Sequence, residues 1–85
     1  MKLVFIFRYG NRDDATIIQT KNTDTIDITL ADNDKIYFTV NEKRVLVIDT
    51  TKWAEVYLLN YSSTKPIIAG QKLVVSLKEM FSAIV

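Results

Sequence analysis

The chain has no cysteine and no histidine, and only two glycines and one proline occur among its 85 residues. Without histidine it lacks the commonest general base and the commonest transition-metal ligand. Without cysteine it also lacks thiolate nucleophiles, the usual zinc ligands and any disulfide framework. Ser-His-Asp and Cys-His nucleophile systems are therefore excluded. We expect a non-enzymatic protein without a cofactor.

Long hydrophobic runs are also absent, because no stretch approaches the ~20 apolar residues that a transmembrane helix needs. The apolar run at residues 1–7 stops at Arg8. No small-residue cleavage site follows, so this run predicts a strand rather than a signal peptide. The lack of cysteine suits a reducing compartment. We expect a cytoplasmic protein, or one in the host-cell cytoplasm if a phage encodes it, without membrane association.

Charge of one sign does not dominate, since 11 Lys and Arg are balanced by 10 Asp and Glu, for a net charge of +1. This balance argues against a dedicated polyanion-binding surface. Acidic runs occur at Asp13-Asp14 and at residues 32–34. The second run begins like an EF-hand loop, but Ile36 stands at a ligand position and no glycine follows Asp34. Both runs are interpreted as turns, and no metal site is expected.

The strongest positive signal lies between positions 25 and 48, where residues 25–30 alternate strictly between polar and apolar and residues 35–40 take up the same two-residue period. Side chains of a strand point alternately to opposite faces, so a two-residue period predicts strands with one buried face. The alternation breaks at residues 32–34 and again at Asn41-Glu42. Three strands, over residues 25–30, 35–40 and 44–48, therefore form a predicted β-meander.

The flanking segments predict further strands. Residues 2–9 are apolar on both faces in the middle, which is typical of a central strand. A polar loop then leads to a second strand over 15–20, which makes a hairpin. Residues 52–61 are compatible with a helix or a strand, and the aromatic and aliphatic run 53–59 favours the strand because it contains no breaker.

The C-terminal segment predicts a short helix. Ser76 and Glu79 fit a capping box. Leu77, Met80, Phe81 and Ile84 follow at helical spacing and form one apolar stripe. Isolated helices shorter than ~12 residues are marginal in water, so this helix must dock on the sheet.

These elements together predict one domain over residues 1–85, since domains typically span ~50–250 residues. We expect an α+β fold that is mainly β. Its core is a small antiparallel meander sheet, or a partly open barrel, of six or seven strands. The C-terminal helix packs on that sheet.

Apolar residues occupy both faces of several predicted strands, namely near residues 4–6, 45–48 and 56–58. One short helix covers only part of this surface, and uncovered apolar sheet surface indicates a protein interface. We therefore expect a protein-interaction module that self-associates as a homodimer or is an accessory or inhibitory component of a larger assembly. Its small size and composition resemble those of accessory proteins of phages and mobile elements. If Val45 and Val47 face the core, Leu46 and Ile48 face outward, and the other register exchanges the two pairs. The candidate interface residues are Tyr37, Leu46, Ile48, Trp53 and Tyr57.

A second hypothesis is a small β domain that binds single-stranded nucleic acid. Such domains stack bases on aromatic side chains and contact phosphates with basic ones. Tyr37 is predicted to face outward, because Ile36, Phe38 and Val40 take the inner face of its strand. The candidate residues for this function are Tyr37, Arg44 and Lys35.

Overall fold

The structure, a computed structural model, describes residues 1–31 and 33–84. Asp32, which belongs to the predicted turn and acidic run, lies outside the described residues. The described chain is mainly β, as the alternation predicted. Its elements are β1 (Lys2–Tyr9), β2 (Arg12–Gln19), β3 (Ile26–Leu30), β4 (Lys35–Val40), β5 (Lys43–Asp49), β6 (Glu55–Leu58), β7 (Ile68–Ala69), β8 (Lys72–Leu73) and α1 (Leu77–Ile84).

The strands form two antiparallel sheets, a five-stranded sheet in the order β2-β1-β6-β7-β8 and a three-stranded sheet in the order β3-β4-β5. The predicted meander is confirmed as the three-stranded sheet, and β1 is confirmed as a central strand. The prediction of a single sheet or barrel of six or seven strands is wrong, because the described residues form eight strands in two open sheets. Strands β7 and β8 contain two residues each, too few to produce an alternation in the sequence.

The connection between β2 and β3 carries the chain from one sheet to the other. A turn follows β2, in which the Asp24 carboxylate accepts a hydrogen bond from the Lys21 amide at 2.7 Å. The same carboxylate accepts one from the Asn41 side chain at 3.0 Å, and Asn41 Oδ1 accepts one from the Thr25 amide at 2.9 Å. These bonds hold the start of β3 against the turn between β4 and β5, and β3 pairs with β4.

The core lies between the two sheets. Phe5 of the five-stranded sheet meets Phe38 of the three-stranded sheet edge-on, with ring centroids 5.1 Å apart. Both side chains are fully buried. Aromatic pairs of this geometry contribute ~0.5–1.5 kcal/mol beyond the burial of their area. The remaining buried apolar residues of the core are Leu3, Phe7, Ile28, Ile36, Ile48, Val56, Leu58, Ile67, Ile68, Val75 and Met80.

Three tight turns join neighbouring strands through left-handed backbone conformations. Gly10 takes φ +60° between β1 and β2, where glycine is the residue that a type II′ turn prefers at this position. Asn41 and Glu42 have φ of 52° and 68° between β4 and β5, and Gly70 and Gln71 have φ of 56° and 68° between β7 and β8. Two consecutive positive φ values match the twist of the flanking strands, as in type I′ hairpins.

The helix α1 begins as the capping pattern predicted, because Ser76 Oγ accepts a hydrogen bond from the Glu79 amide at 3.0 Å. The Glu79 carboxylate accepts hydrogen bonds from the Tyr61 hydroxyl at 2.7 Å and the Lys65 ammonium at 3.2 Å. These bonds lower the pKa of Glu79, chiefly the one from Tyr61. Met80 of the predicted apolar stripe is fully buried in the core. The other predicted stripe side chains, those of Leu77, Phe81 and Ile84, lie outside the described part of the chain.

Candidate interaction surface

The outer side of the five-stranded sheet carries a row of apolar side chains that crosses three strands. Val4 of β1 pairs with Ile17 of β2, and on its other side the Leu59 amide donates a hydrogen bond to the Val4 carbonyl at 2.9 Å. Ile17 is 60% exposed and Leu59 is 43% exposed, while Val4 between them is half-buried. Their positions in register bring three separate segments of the chain into one contiguous apolar row.

The adjacent row on the same side extends this surface. Ile6 of β1 pairs with Ala15 of β2 and with Tyr57 of β6. Ala15 is exposed and Ile6 is half-buried. The opposite side of β1 presents Leu3, Phe5 and Phe7 to the core, so β1 is apolar on both sides, as its sequence predicted. The outer residues that make up this surface, here called the apolar face, are Val4, Ile6, Ala15, Ile17 and Leu59.

A polar row borders the apolar face at the hairpin end of the sheet. Arg8 forms a two-point ion pair with Asp13, with distances of 2.9 and 3.1 Å. This pairing raises the pKa of Arg8 and lowers that of Asp13, in both cases mainly through the shared hydrogen bond. Glu55 accepts a hydrogen bond from the Tyr57 hydroxyl at 3.1 Å. The pKa of Tyr57 is raised, first by burial and then by this acidic partner. The apolar face thus has a charged border of the kind that surrounds protein interfaces.

Strand β5 has the opposite orientation to the one we expected. Val45 and Val47 are 45% and 50% exposed, whereas Ile48 is 1% exposed and Leu46 packs against the core. The prediction that Leu46 and Ile48 face outward is therefore wrong. A bulge between Phe38 and Thr39 shifts the register and leaves Val45 without a partner on β4. The odd-numbered and the even-numbered residues of 45–48 are both apolar. The sequence alone therefore does not show which of the two pairs faces the core.

Tyr37 faces outward as predicted, between Thr29 of β3 and Val47 of β5. It is half-buried, because the Arg44 guanidinium lies over its ring at 3.9 Å from the centroid. The bulge places this arginine on the same side as Tyr37. Two of the three residues predicted for nucleic-acid binding are thus in contact, and the third, Lys35, lies two positions from Tyr37 and opposite Asp49.

Trp53 and Tyr57 do not occupy open sheet surface. The Trp53 ring packs on Phe7 with centroids 5.5 Å apart and is half-buried. Tyr57 is only 7% exposed, so the prediction that it offers an interface contact is not supported by its burial. Trp53 instead helps to line a cleft of about 350 Å³ at the hairpin end of the sheet. The other residues that line this cleft are Tyr9, Arg12, Thr51 and Lys52.

Two further features bear on the chemistry available. Among residues 1–31 and 33–84, no three or more His, Asp, Glu or Cys side chains come together in a way that holds a metal ion. Within the same residues, no helix has the length and apolarity that crossing a membrane requires.

Sequence reasoning did not single out Ile17 and Leu59, although a signal for Ile17 exists. A two-residue loop fixes the register of a hairpin, so Gly10-Asn11 places Tyr9 opposite Arg12 and Val4 opposite Ile17. The corresponding position of Leu59 depends on the pairing of β1 with β6. That pairing joins segments about 50 residues apart, and no local pattern reports it.

Protein-family models, curated proteins and solved structures were each compared with this chain, and none of them matches it. The surface geometry of the described residues is therefore the basis for a functional proposal.

Proposed function

We propose that this chain is a non-enzymatic protein-interaction module that self-associates through the five-stranded sheet. The observation that carries the proposal is the row formed by Leu59, Val4 and Ile17, which runs across three strands on the outer side of the sheet. Scattered exposed apolar residues are normal on protein surfaces, whereas a contiguous apolar patch with a polar border marks an interaction site.

The size of the chain is compatible with such a contact. A stable protein–protein interface buries ~800 Å² on each partner. The accessible surface of this chain is 5468 Å², so a standard interface takes roughly a seventh of it. The two layers of sheet leave the apolar face uncovered within the described residues, so Ile17 at its edge is available to a second copy. A role as an accessory or inhibitory component of a larger assembly is compatible with this proposal and stays a prediction.

Light scattering on the purified chain tests the proposal. We expect a particle of twice the 9.8 kDa chain mass and a single chain after Ile17→Asp. Leu30→Asp is the matched control, because Leu30 is 63% exposed and lies on β3, away from the apolar face. Circular dichroism establishes that each variant is folded. A monomeric parent protein, or equal effects of the two substitutions, contradicts the proposal.

A second candidate function is the binding of single-stranded nucleic acid, and the contact between Tyr37 and Arg44 favours it. An aromatic ring with an adjacent guanidinium provides both stacking and phosphate contacts. The cleft that contains Trp53, Tyr9, Arg12 and Lys52 combines the same two kinds of side chain. The near-neutral net charge argues against this candidate, so it ranks second.

The fluorescence anisotropy of a dye-labelled oligothymidine measures this second candidate directly, whichever of the two surfaces binds it. Oligonucleotide binding through phosphates weakens steeply as salt rises. A salt-dependent rise in anisotropy that Tyr37→Ala or Arg44→Ala removes favours nucleic-acid binding at the contact between Tyr37 and Arg44. An unchanged anisotropy at low salt eliminates it.

A further inference from the structure

Strand β2 presents a free edge that is poorly protected. It ends the five-stranded sheet, and in the part of the chain that the structure describes its one neighbour is β1. Natural edge strands are usually short, bulged, charged or interrupted by proline. β2 is eight residues long and pairs with β1 in continuous register. Its charged residues all lie in its first three positions, so the segment from Ala15 to Gln19 has none of these protections.

The hydrogen bonds of the hairpin show which backbone groups of β2 are free. Met1 and Thr20 exchange two hydrogen bonds, of 2.8 Å from the Thr20 amide and 2.6 Å from the Met1 amino group. Hydrogen-bonded and non-hydrogen-bonded pairs alternate along an antiparallel ladder. Counting back from Thr20, the even-numbered residues bond to β1. The amides and carbonyls that point away from β1 therefore belong to Asp13, Ala15, Ile17 and Gln19.

We infer that a second copy of this chain pairs its own β2 with this edge, antiparallel and centred on Ile17. The inference rests on the proposed self-association and specifies its geometry. In this register Ile17 lies opposite Ile17 of the second copy, and Ala15 lies opposite Gln19. The charged residues of β2 lie outside this shared ladder, where Asp13 keeps its ion pair with Arg8, and apolar side chains meet at its centre.

Neighbouring registers are less favourable. Centring the pair on Ala15 sets the Asp13 carboxylate opposite Ile17 of the second copy, which places a charge against an apolar side chain. Centring it on Thr16 keeps the faces aligned but draws the charged Asp13 into the ladder opposite Gln19. Changing the pairing by a single residue sends every outer side chain to the opposite face. The Ile17 register is therefore the one in which the uncharged segment from Ala15 to Gln19 pairs with itself.

The same register joins the two apolar faces. The row of Leu59, Val4 and Ile17 continues directly into the same row of the second copy, across the two-fold axis. Cross-strand apolar pairs stabilise a sheet. Because of the two-fold axis, each contact between two different residues occurs twice in the interface. The free edge and Ile17, the outermost residue of the apolar row, thus lie in the same contact, whereas Leu59 lies outside it.

A proline on the free edge tests the pairing. Ala15→Pro removes an N–H that bonds to no group on β1, and proline is tolerated at such edge positions. We expect the particle to fall from twice the 9.8 kDa chain mass to the mass of one chain. Leu59→Asp is the control, because it alters the apolar face three strands into the sheet and leaves the edge intact. We expect this control to stay a dimer.

Single cysteines test the register independently, since the chain has no cysteine of its own. Residues opposite each other in a hydrogen-bonded antiparallel pair have Cα atoms ~5.5 Å apart, within the range of a disulfide. We therefore expect Ile17→Cys to form a covalent dimer under mild oxidation. In the same register the two copies of Ala15 are offset by about 14 Å along the strands, so Ala15→Cys is expected to stay uncrosslinked.

The outcomes separate this inference from the proposed function. A monomeric parent protein contradicts both. A dimer that survives Ala15→Pro but dissociates with Leu59→Asp contradicts edge pairing and supports face-to-face packing of the apolar face. Equal crosslinking of the two cysteine variants contradicts the Ile17 register. If Ala15→Pro does not fold, as judged by circular dichroism, the cysteine pair decides the question alone.

Discussion

Replacing Phe38 by alanine removes the side chain that joins the two sheets of this protein. Phe38 is fully buried on β4 and packs edge-on against Phe5 of β1, with centroids 5.1 Å apart. Truncation of a buried phenylalanine to alanine costs ~3–5 kcal/mol. A domain of 85 residues has a total stability of about 4–13 kcal/mol. We expect Phe38→Ala to remove a large fraction of it.

Urea unfolding, followed by two signals, measures this loss. Trp53 fluorescence reports the five-stranded sheet, because the Trp53 ring packs on Phe7 of β1. Far-UV circular dichroism reports both sheets. If the sheets share one core, the two transitions move together to lower urea, even though the substitution lies in the three-stranded sheet. Leu30 lies on that same sheet and is 63% exposed. Leu30→Ala is therefore expected to change stability by less than about 0.5 kcal/mol.

Two results refute this reasoning. A loss below about 1.5 kcal/mol for Phe38→Ala indicates that the ring is not packed in a shared core. A shift in circular dichroism with no shift in Trp53 fluorescence indicates that the sheets unfold independently. A double-mutant cycle with Phe5→Leu and Phe38→Leu then measures the interaction energy between the two rings. We expect this energy to be ~0.5–1.5 kcal/mol.

Two further predictions concern the turns. Glu42 has φ +68°, a conformation that costs a residue with a Cβ ~1–2 kcal/mol and glycine much less. Glu42→Gly is therefore expected to raise the unfolding free energy by about 0.5–1 kcal/mol, whereas a lower urea midpoint contradicts this account of the turn. The Lys21 amide, followed by the Asn41 side chain, lowers the pKa of Asp24 below the ordinary value of 3.8. A lowered carboxyl pKa stabilises the fold above the unfolded-state pKa, and this contribution is lost as the pH falls through the folded-state value. The urea midpoint of the parent protein is thus expected to fall below pH 4 more steeply than that of Asp24→Asn, and parallel profiles refute the role of this carboxylate.

Several features of the fold could be predicted because they depend on neighbours in sequence. The alternation of residues 25–48 is local, and it correctly predicted the β3-β4-β5 meander. The apolar residues on both sides of β1 correctly predicted a central strand with neighbours on each side. Residues 55–58 form a strand, as the run without breakers favoured. Ser76 caps the helix because its partner amide is only three residues away.

The candidate surface was less predictable, because it depends on which side of each strand becomes covered. Both the odd-numbered and the even-numbered residues of 45–48 are apolar, and the pairing of β5 with β4, which sets Val47 opposite the outward Tyr37, decided that Val45 and Val47 face outward. Leu59 reached the apolar face only through the pairing of β6 with β1. A two-residue period shows which side chains share a face, but it carries no information about which face meets another sheet. The sequence by itself therefore determined the longer strands, and the packing of one sheet on the other decided which apolar residues are left exposed.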